Sequence, residues 1–505
     1  MQPNIVIVVI DALRRDRVGS FGGRDLTPNI DTLAGEATIF PNAYSTINTT
    51  DPAVTSIQTG RYPLSHGVVN HGRRVTESEK QSVENVRQLP EILSENGYRT
   101  GKFGRPLGRW HRNGFDRYPS EMESRKAFGE QSKSTKSAIG DTLEAVHPLV
   151  KRTISNVYQS VSSFLPERGD VGSNATIDAY HRSQDQVIHN FCEWIDCSEP
   201  FFSFVHLMDT HGPYSAPPDL IAENLNTYDY KVDMGNYTGW EIPAEFHSRV
   251  LNGHYPEIRE KYYFDQETPS TAIIDASYDA SVAIADDRLG HLISELHSQE
   301  VYEDTLLVFL ADHGESLTEH GIYYDHHGLY DSTIRIPMLI RSPNKGIDSV
   351  ADLVQITDIA PTVLSIADVE EEKIEPDGFD LTPAIQGEGS IDREFVMAEE
   401  AHTQRRRMIF KNEKKLIYLV DGTTVCRYCE VEHAPSIELY DTKQDPEERT
   451  NLLSEQKDTV EKLKRLSEER SNHLLEKRPK GGSDNSVSYH DEEDVYKRLE
   501  ALGYR

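Results

Sequence analysis

The chain has 505 residues, a formal net charge of −31 and four cysteines. This length is sufficient for one large α/β domain with a smaller appended unit, and the charge excludes nucleic acid and anionic membranes as general partners because both repel an acidic surface. The acidic surface also suggests a high-salt, halophilic cytoplasm, where ions screen the self-repulsion. We expect a cytoplasmic protein without membrane insertion, since no signal segment is recognisable and no apolar run approaches the roughly 18 residues of a membrane helix.

The N-terminal segment contains the strand around which we expect the fold to form. Residues 5–10 are a short, β-branched, apolar run, typical of a central parallel strand covered on both faces. Asp11 follows that run, at the edge where open α/β sheets bind ligands. Helices are predicted to begin near Thr27 and Ala53, and the N-terminus of the second would direct free N–H groups at a bound anion.

The middle of the chain predicts further core strands separated by helices. The strands are expected at residues 200–207, 305–310 and 336–340, and the helices at residues 88–96, 180–195, 272–298 and 358–367. Two polar segments lack this regular pattern. We predict an insertion at residues 119–175, helical around 142–165, and a substrate-selecting lid at residues 215–265.

The pattern changes near residue 393 to short strands with turns between them, which predicts a small antiparallel sheet. The charged segment after residue 455 is predicted to be helical to about residue 476 and disordered over 478–490. The predicted fold class is therefore α/β, with a large mixed, mostly parallel sheet flanked by helices and a small C-terminal antiparallel sheet. The predicted units are residues 1–392, 393–455 and a tail of 456–505.

Polar side chains follow three of the predicted core strands. They are Asp11, the group of His206, Asp209 and His211, and the pair Asp312 and His313. Because parallel strands end at one edge of a sheet, we expect these groups to converge. Two buried carboxylates are costly without a cation, so the convergence predicts a divalent metal ion.

Thr50 is the hydroxyl that we expect beside this metal ion. A coordinated hydroxyl has a lowered pKa, which a threonine needs in order to act as a nucleophile near neutral pH. Oxygen ligands alone favour Ca²⁺ or Mg²⁺, whereas a histidine such as His313 shifts the preference towards Mn²⁺ or Zn²⁺.

Simpler interpretations remain for several of these residues. An aspartate such as Asp11 also caps helices, and Thr49 competes with Thr50 on residue type alone. A zinc site is one interpretation of Cys426-x-x-Cys429 with His433 nearby, and incidental packing is the other, since a second cysteine pair at suitable spacing is missing.

Short motifs are distributed in order along most of the chain. The N-terminal part carries Asp11-Ala-Leu-Arg, Thr27-Pro-Asn-Ile-Asp, Phe40-Pro-Asn-Ala-Tyr, Thr59-Gly-Arg-Tyr-Pro and Gly97-Tyr-Arg-Thr. The remainder carries Asp209-Thr-His-Gly-Pro-Tyr, Asp312-His-Gly-Glu, Leu329-Tyr, Ile336-Pro, Glu438-Leu-Tyr-Asp, Asp445-Pro-Glu-Glu and Asn451-Leu. This ordered set resembles the sulfatase family of the alkaline phosphatase superfamily, from residue 4 to about residue 455.

The resemblance implies roles by position. Metal ligands are implied at Asp11, Thr50, Asp312 and His313, catalytic residues at Thr50, His211 and His326, and substrate-binding residues at Arg105 and His327. His326 and His327 are alternatives for one position that usually holds a substrate-binding lysine, and Arg105 falls near another. Thr50 is selected over Thr49 because it lies two residues before Pro52.

The sequence departs from the family pattern around the nucleophile. Sulfatases of the formylglycine type have Cys or Ser there, with proline two and arginine four residues later, whereas this chain has Thr50, Pro52 and Val54. A threonine cannot be converted to the aldehyde. The family's second aspartate is Ala12. A threonine nucleophile is similar to the phosphodiesterase and phosphotransferase branches, in which the hydroxyl attacks directly.

The leading hypothesis is a metal-dependent hydrolase of sulfate or phosphate esters, with a small-molecule, glycan or lipid-headgroup anionic ester as substrate. The alternative is a phosphodiesterase or a transferase that passes a phosphoryl-type group to an acceptor. A non-catalytic binding protein is the third class, and the intact set of candidate site residues argues against it.

Overall fold

A computed structural model of the chain describes residues 2–119, 174–195, 199–212, 214, 216–226, 270–344, 346–369, 374–427 and 430–479. The predicted insertion lies almost entirely outside the described residues. So does the predicted lid, apart from a helix at its start, and so does the predicted disorder beyond residue 479.

A six-stranded sheet forms the centre of the molecule. In spatial order its strands are β2 (Thr38–Ile39), β7 (Met338–Arg341), β6 (Thr305–Ala311), β1 (Asn4–Ile10), β5 (Phe201–Leu207) and β4 (Arg99–Phe103). Strands β6, β1, β5 and β4 are parallel, whereas β7 is antiparallel to β6 and to β2. The predicted mixed, mostly parallel sheet is confirmed.

Strand β1 is central because its residues are apolar on both faces. Every side chain from Ile5 to Ile10 is fully buried, as the β-branched run predicts. In the parallel register, Ile10 lies opposite Leu207 of β5 and Ala311 of β6. The residues that follow these three positions therefore emerge side by side at one edge of the sheet.

Helices flank the sheet. They are α1 (Pro28–Ala34), α2 (Thr50–Thr59), α3 (Pro63–His66), α4 (Glu77–Glu84), α5 (Leu89–Glu95), α6 (Asn174–Trp194), α7 (Pro218–Asn226), α8 (Ser270–Ser298), α9 (Asp331–Ile334), α10 (Ile359–Ile366), α11 (Thr382–Ile385) and α12 (Lys457–Glu476). Helix α2 begins three residues before the predicted start at Ala53. Pro52 does not prevent this, because first-turn residues have no intrahelical acceptor for their N–H groups.

A second, four-stranded antiparallel sheet lies in the C-terminal part, as predicted. Its spatial order is β12 (Ile437–Asp441), β11 (Lys414–Asp421), β10 (Arg405–Lys411) and β9 (Val396–Glu400). Helix α12 packs against this sheet through Val460 and Leu463. A short parallel pair, β3 (Ala43–Tyr44) with β8 (Val354–Gln355), completes the strands of the described regions.

Buried polar contacts join the C-terminal sheet to segments that flank the six-stranded sheet. Lys415 of β11 is fully buried, pairs with Asp331 at the start of α9 and lies 2.6 Å from a carboxylate oxygen of Glu448. The backbone N–H of Glu399 donates to the carbonyl of Thr46 at 2.9 Å. Within the described ranges, no helix is long and apolar enough to cross a membrane.

Candidate active site

Two carboxylates meet where β1 and β6 end. Asp11 and Asp312 are both completely buried. Oδ1 of Asp312 accepts the backbone N–H groups of Ala12 at 3.1 Å and His313 at 2.9 Å. Ala12 adopts a left-handed conformation, with φ of 57°, which costs a non-glycine residue of the order of 1 kcal/mol. This turn directs its N–H group at Asp312 and fixes that carboxylate.

A hydroxyl and an imidazole lie against this carboxylate pair. The Thr50 hydroxyl is 3.2 Å from Oδ2 of Asp11 and 3.4 Å from Nε2 of His313. Nε2 of His313 is also 3.6 Å from Oδ2 of Asp312. Nδ1 of His313 lies 2.8 Å from the carbonyl of Gly314, to which an N–H there would donate. That arrangement leaves Nε2 as the ligand atom.

Helix α2 brings Thr50 to this position. Thr50 is the first residue of the helix, and Thr49 is the N-cap residue with extended backbone angles. Residue type alone could not decide whether Thr49 or Thr50 lies at the site. The geometry places Thr50 there, because its hydroxyl contacts Asp11. The positive end of the helix dipole also lies at the site, while the backbone N–H of Asp51 in the first turn donates to Nδ1 of His71 at 3.2 Å.

His206 is a fifth member of the cluster. The strand pattern placed it with the converging groups but did not assign it as a metal ligand, and its Nε2 lies 3.2 Å from Oδ2 of Asp11. One ligand atom each from Asp11, His206 and Asp312 lie within 4.8 Å of one another. A signal was available in the parallel register, since His206 pairs with Val9 two residues before Asp11, and alternate residues of a strand face the same side.

The residues present fit a divalent metal ion. Oδ1 of Asp11 and Oδ2 of Asp312 are buried and accept no hydrogen bond from the described residues. Burial and the neighbouring Asp11 raise the pKa of Asp312. Burial also acts to raise the pKa of Asp11, but His211, His206 and His313 outweigh it and lower that pKa. Carboxylate and imidazole ligands of this kind suit a divalent cation, which when bound lowers the pKa of a coordinated hydroxyl.

A pocket of about 350 Å³ opens beside Thr50. Its lining includes Asp11, Thr50, Asp51 and His211 together with five residues that are cationic or can become so: His71, Arg73, Lys80, Arg105 and Arg109. Asp51 is held by Nδ1 of His71 at 2.9 Å and by the backbone N–H of Gly72 at 2.7 Å. In a chain of net charge −31, this concentration of basic groups suits an anionic ligand.

Of the three further histidines predicted for the site, two lie near its centre and the third lies among other groups. The ring of His326 lies 5.8 Å from that of His211 and 4.7 Å from that of His313, measured between centroids. Burial lowers the pKa of His211. Burial also opposes a charge on His326, but Glu315, whose Oε1 is 3.4 Å from Nδ1, and Asp325 outweigh it and raise the pKa of His326 to about 9.

His327 lies among other groups. Its Nε2 is 3.0 Å from Oδ2 of Asp325, and its Nδ1 is 3.6 Å from Sγ of Cys426. A substrate-binding role for His327 stays a prediction. Of the predicted cysteine pair, Cys426 is buried and Cys429 lies outside the described residues.

Comparisons with known proteins identify the family to which this chain belongs. The sequence model of the family described as Sulfatase matches residues 3–369, and the model described as N-sulphoglucosamine sulphohydrolase, C-terminal, matches residues 318–475. The chain therefore belongs to the sulfatase family, whose enzymes are sulfuric ester hydrolases.

Individual relatives match over nearly the whole chain at low identity. The Escherichia coli (strain K12) protein named Uncharacterized sulfatase YidJ is 24% identical over 470 residues, with 90% of this chain and 84% of the relative covered. The solved structure of a 2-O GAG sulfatase has a TM-score of 0.63 at 19% identity, covering 94% of this chain and 93% of the other. The phosphonate monoester hydrolase of Agrobacterium radiobacter has a TM-score of 0.62 at 17% identity, covering 97% and 99%.

Proposed function

We propose that the protein is a metal-dependent hydrolase that removes sulfate from an anionic carbohydrate ester, with the unmodified hydroxyl of Thr50 as nucleophile. The observation that carries this proposal is the position of that hydroxyl, 3.2 Å from a buried carboxylate oxygen of Asp11 and in the lining of a pocket rich in basic groups. Asp11, His206, Asp312 and His313 are the proposed ligands of the metal ion.

The reaction divides into two displacements at sulfur. In the first, Oγ of Thr50 gives up its proton and forms a bond to sulfur while the bond to the sugar oxygen breaks, and that oxygen takes up a proton. In the second, water gives up a proton and displaces Oγ, which takes up a proton, and sulfate leaves. Burial lowers the pKa of His211, so its imidazole is neutral at the start. His211, which lines the pocket, is proposed to accept the proton of Thr50 and pass it to the sugar oxygen, and then to pass a proton from water to Oγ. His326, protonated at neutral pH, and Arg105 stabilise the negative charge of the transferred group.

The carbohydrate assignment is supported by the charge of the pocket and by the relatives. Of the basic side chains in the lining, Lys80 and Arg109 pair with the carboxylates of Glu77 and Glu84. Arg73 and Arg105 add to the positive charge of the pocket, which suits an anionic substrate better than a neutral ester. The matched C-terminal family model is named for N-sulphoglucosamine sulphohydrolase, and one of the similar solved structures is that of a 2-O GAG sulfatase.

Phosphorus ester cleavage is the second candidate. Thr50 and Val54 replace the residues that the formylglycine mechanism needs, and a direct alkoxide attack is equally suited to a phosphodiester or a phosphonate monoester. Transfer of the group from Thr50 to a second alcohol instead of water is the transferase form of this chemistry. The buried metal-ligand set argues against a protein that only binds.

The experiment compares substrates and metals on purified full-length protein. Turnover is measured with Ca²⁺, Mg²⁺, Mn²⁺ or Zn²⁺ on an aryl sulfate, sulfated disaccharides, an aryl phosphodiester and an aryl phosphonate. We expect the sulfated disaccharides to have the highest kcat/KM. A preference for the phosphorus esters would replace the sulfate assignment, and an aldehyde mass at residue 50 would overturn the threonine nucleophile.

A further inference from the structure

A second cluster of metal-ligating side chains lies apart from the Asp11 and Thr50 centre. His327, Cys426 and His433 each offer one ligand atom, and these atoms lie within 4.8 Å of one another. His327 and Cys426 are 2% and 1% exposed, and His433 is partly buried. The cluster joins the loop that follows β6 to the connection between β11 and β12, so residues about a hundred positions apart converge on one point.

The distance between two of these ligand atoms is the one that a tetrahedral zinc ion requires. Sγ of Cys426 is 3.6 Å from Nδ1 of His327. Zn–S and Zn–N bonds of about 2.3 and 2.0–2.1 Å at a tetrahedral angle put sulfur and nitrogen about 3.6 Å apart. The rings of His327 and His433 lie 5.5 Å apart between centroids and meet edge to face, so both rings border the same space.

Asp325 provides the outer support that metal-binding histidines usually have. Its Oδ2 is 3.0 Å from Nε2 of His327, the nitrogen opposite the one that faces Cys426. A proton on Nε2 is stabilised by this carboxylate, and the lone pair of Nδ1 then faces Sγ of Cys426. The orientation of His327 is therefore that of a ligand whose tautomer has been selected.

We propose that His327, Cys426 and His433 bind a Zn²⁺ ion. One thiolate and two imidazoles form a soft-to-borderline ligand set that favours zinc and disfavours Ca²⁺ and Mg²⁺, which require oxygen ligands. The near-complete burial of the thiol argues against a role in attacking a substrate.

This ion would hold the loop that presents His326. The adjacent residue His327 would be fixed to the C-terminal sheet, while the carbonyl of His326 accepts a hydrogen bond from Nδ2 of Asn48 at 2.6 Å. The neighbouring Gly328 N–H donates to Oε1 of Glu400 in β9 at 3.0 Å. His327 is thus a positioning residue for His326, and the zinc site itself does not depend on the reaction at Thr50.

Cobalt substitution tests the site in the whole protein. The chain is purified under reducing conditions, stripped of metal with a chelator and titrated with Co²⁺ alone. We expect a thiolate-to-cobalt charge-transfer band in the near ultraviolet, and one equivalent of Zn²⁺ to abolish it. The band should be absent in Cys426→Ser and present in Cys192→Ser, which removes a half-buried thiol on α6. It should also be present in Thr50→Ala and Asp312→Asn.

Each outcome decides the proposal. Absence of the band in saturated wild-type protein overturns it, and so does a band that Cys426→Ser leaves unchanged. If Cys426→Ser fails to fold, His433→Ala replaces it, because His433 is only partly buried, and we expect the affinity for Co²⁺ to fall at least about tenfold. Unchanged affinity in that variant also overturns the site. Failure of the threonine mechanism would leave all these readings unaltered.

Discussion

Adjacent histidines of one loop belong to two different chemical environments. His326 lies beside His211 and His313 at the edge of the parallel sheet, where the proposed metal ligands are two carboxylates and two imidazoles. His327 lies beside Cys426 and His433, where sulfur and nitrogen predominate. The comparison suggests that adjacent residues of one loop serve two proposed metal sites, one with carboxylate ligands and one with a thiolate, and we expect the two sites to be perturbed separately.

Removal of the nucleophile should have the largest effect. Thr50→Ala deletes the only atom that forms the covalent intermediate, so we expect kcat to fall at least about a thousandfold. Thr50→Ser, which keeps a hydroxyl, is the matched control and should retain a measurable part of the activity. Circular dichroism and metal content should be unchanged in both variants. Wild-type turnover in Thr50→Ala would show that another group attacks the ester.

Loss of a carboxylate should separate the two metal environments. Asp312→Asn weakens the oxygen-rich site, and we expect activity to fall by about a hundredfold or more while the cobalt–thiolate band persists. Chelator treatment should abolish activity, and adding back a divalent ion should restore it. Equal loss of cobalt absorption and activity in Asp312→Asn would contradict the separation. Mass spectrometry measures the metal content of the variant and the wild type.

Charge removal in the pocket should affect substrate binding. Arg105→Ala takes a basic group from the lining beside Thr50, and we expect KM for a sulfated disaccharide to rise about tenfold, with a smaller change in kcat. Arg105→Lys keeps the charge and should recover part of the affinity. High salt should reduce the difference between the wild type and Arg105→Ala. A change confined to kcat would mean that Arg105 acts in the transition state instead.

The protonation of His326 should set the alkaline limit of activity. Glu315 raises the pKa of His326 to about 9 against the effect of burial, so we expect activity to decline as pH rises through about 9. In Glu315→Gln the imidazolium loses its counter-charge, and the decline should move about 1–2 pH units lower. A profile unchanged in Glu315→Gln would exclude His326 from the pH dependence.

The same pKa shift has a consequence for stability with a defined sign. The folded-state pKa of His326 lies above the ordinary value of 6.5, so its contribution to the free energy of unfolding is complete below pH 6.5 and is lost between pH 6.5 and about 9. Thermal unfolding of the wild type and Glu315→Gln should therefore differ most below pH 6.5 and converge above pH 9.

The sequence was sufficient for the fold because its strongest signals are local. The apolar run of residues 5–10 predicts β1, and the strands and helices that follow it fix a mostly parallel sheet. The start of α2 was displaced, since a proline in a first turn reads as a helix boundary yet disturbs no hydrogen bond.

The candidate site was less accessible from sequence alone. Asp11, Thr50, Asp312 and His313 converge as expected, because strand ends and a helix start determine their positions. His206 was not assigned as a metal ligand, since the direction of a histidine inside a buried strand is fixed only by the register with β1. The spacing of Cys426 and His433 indicated a zinc site as one interpretation, whereas the position of His327 beside them depends on a long-range contact that no spacing in the chain reveals.

The buried ion pairs of Lys415 tie the C-terminal sheet to the rest of this chain. Lys415 belongs to the C-terminal sheet, whereas its partners Asp331 and Glu448 lie on either side of it in sequence. Replacing only the C-terminal sheet with that of a homologue would leave a buried charge unpaired unless residues 331, 415 and 448 all match. We expect such an unpaired charge to lower the free energy of unfolding by about 3–5 kcal/mol. In evolution, the two sheets are therefore expected to be inherited together, as one unit of exchange.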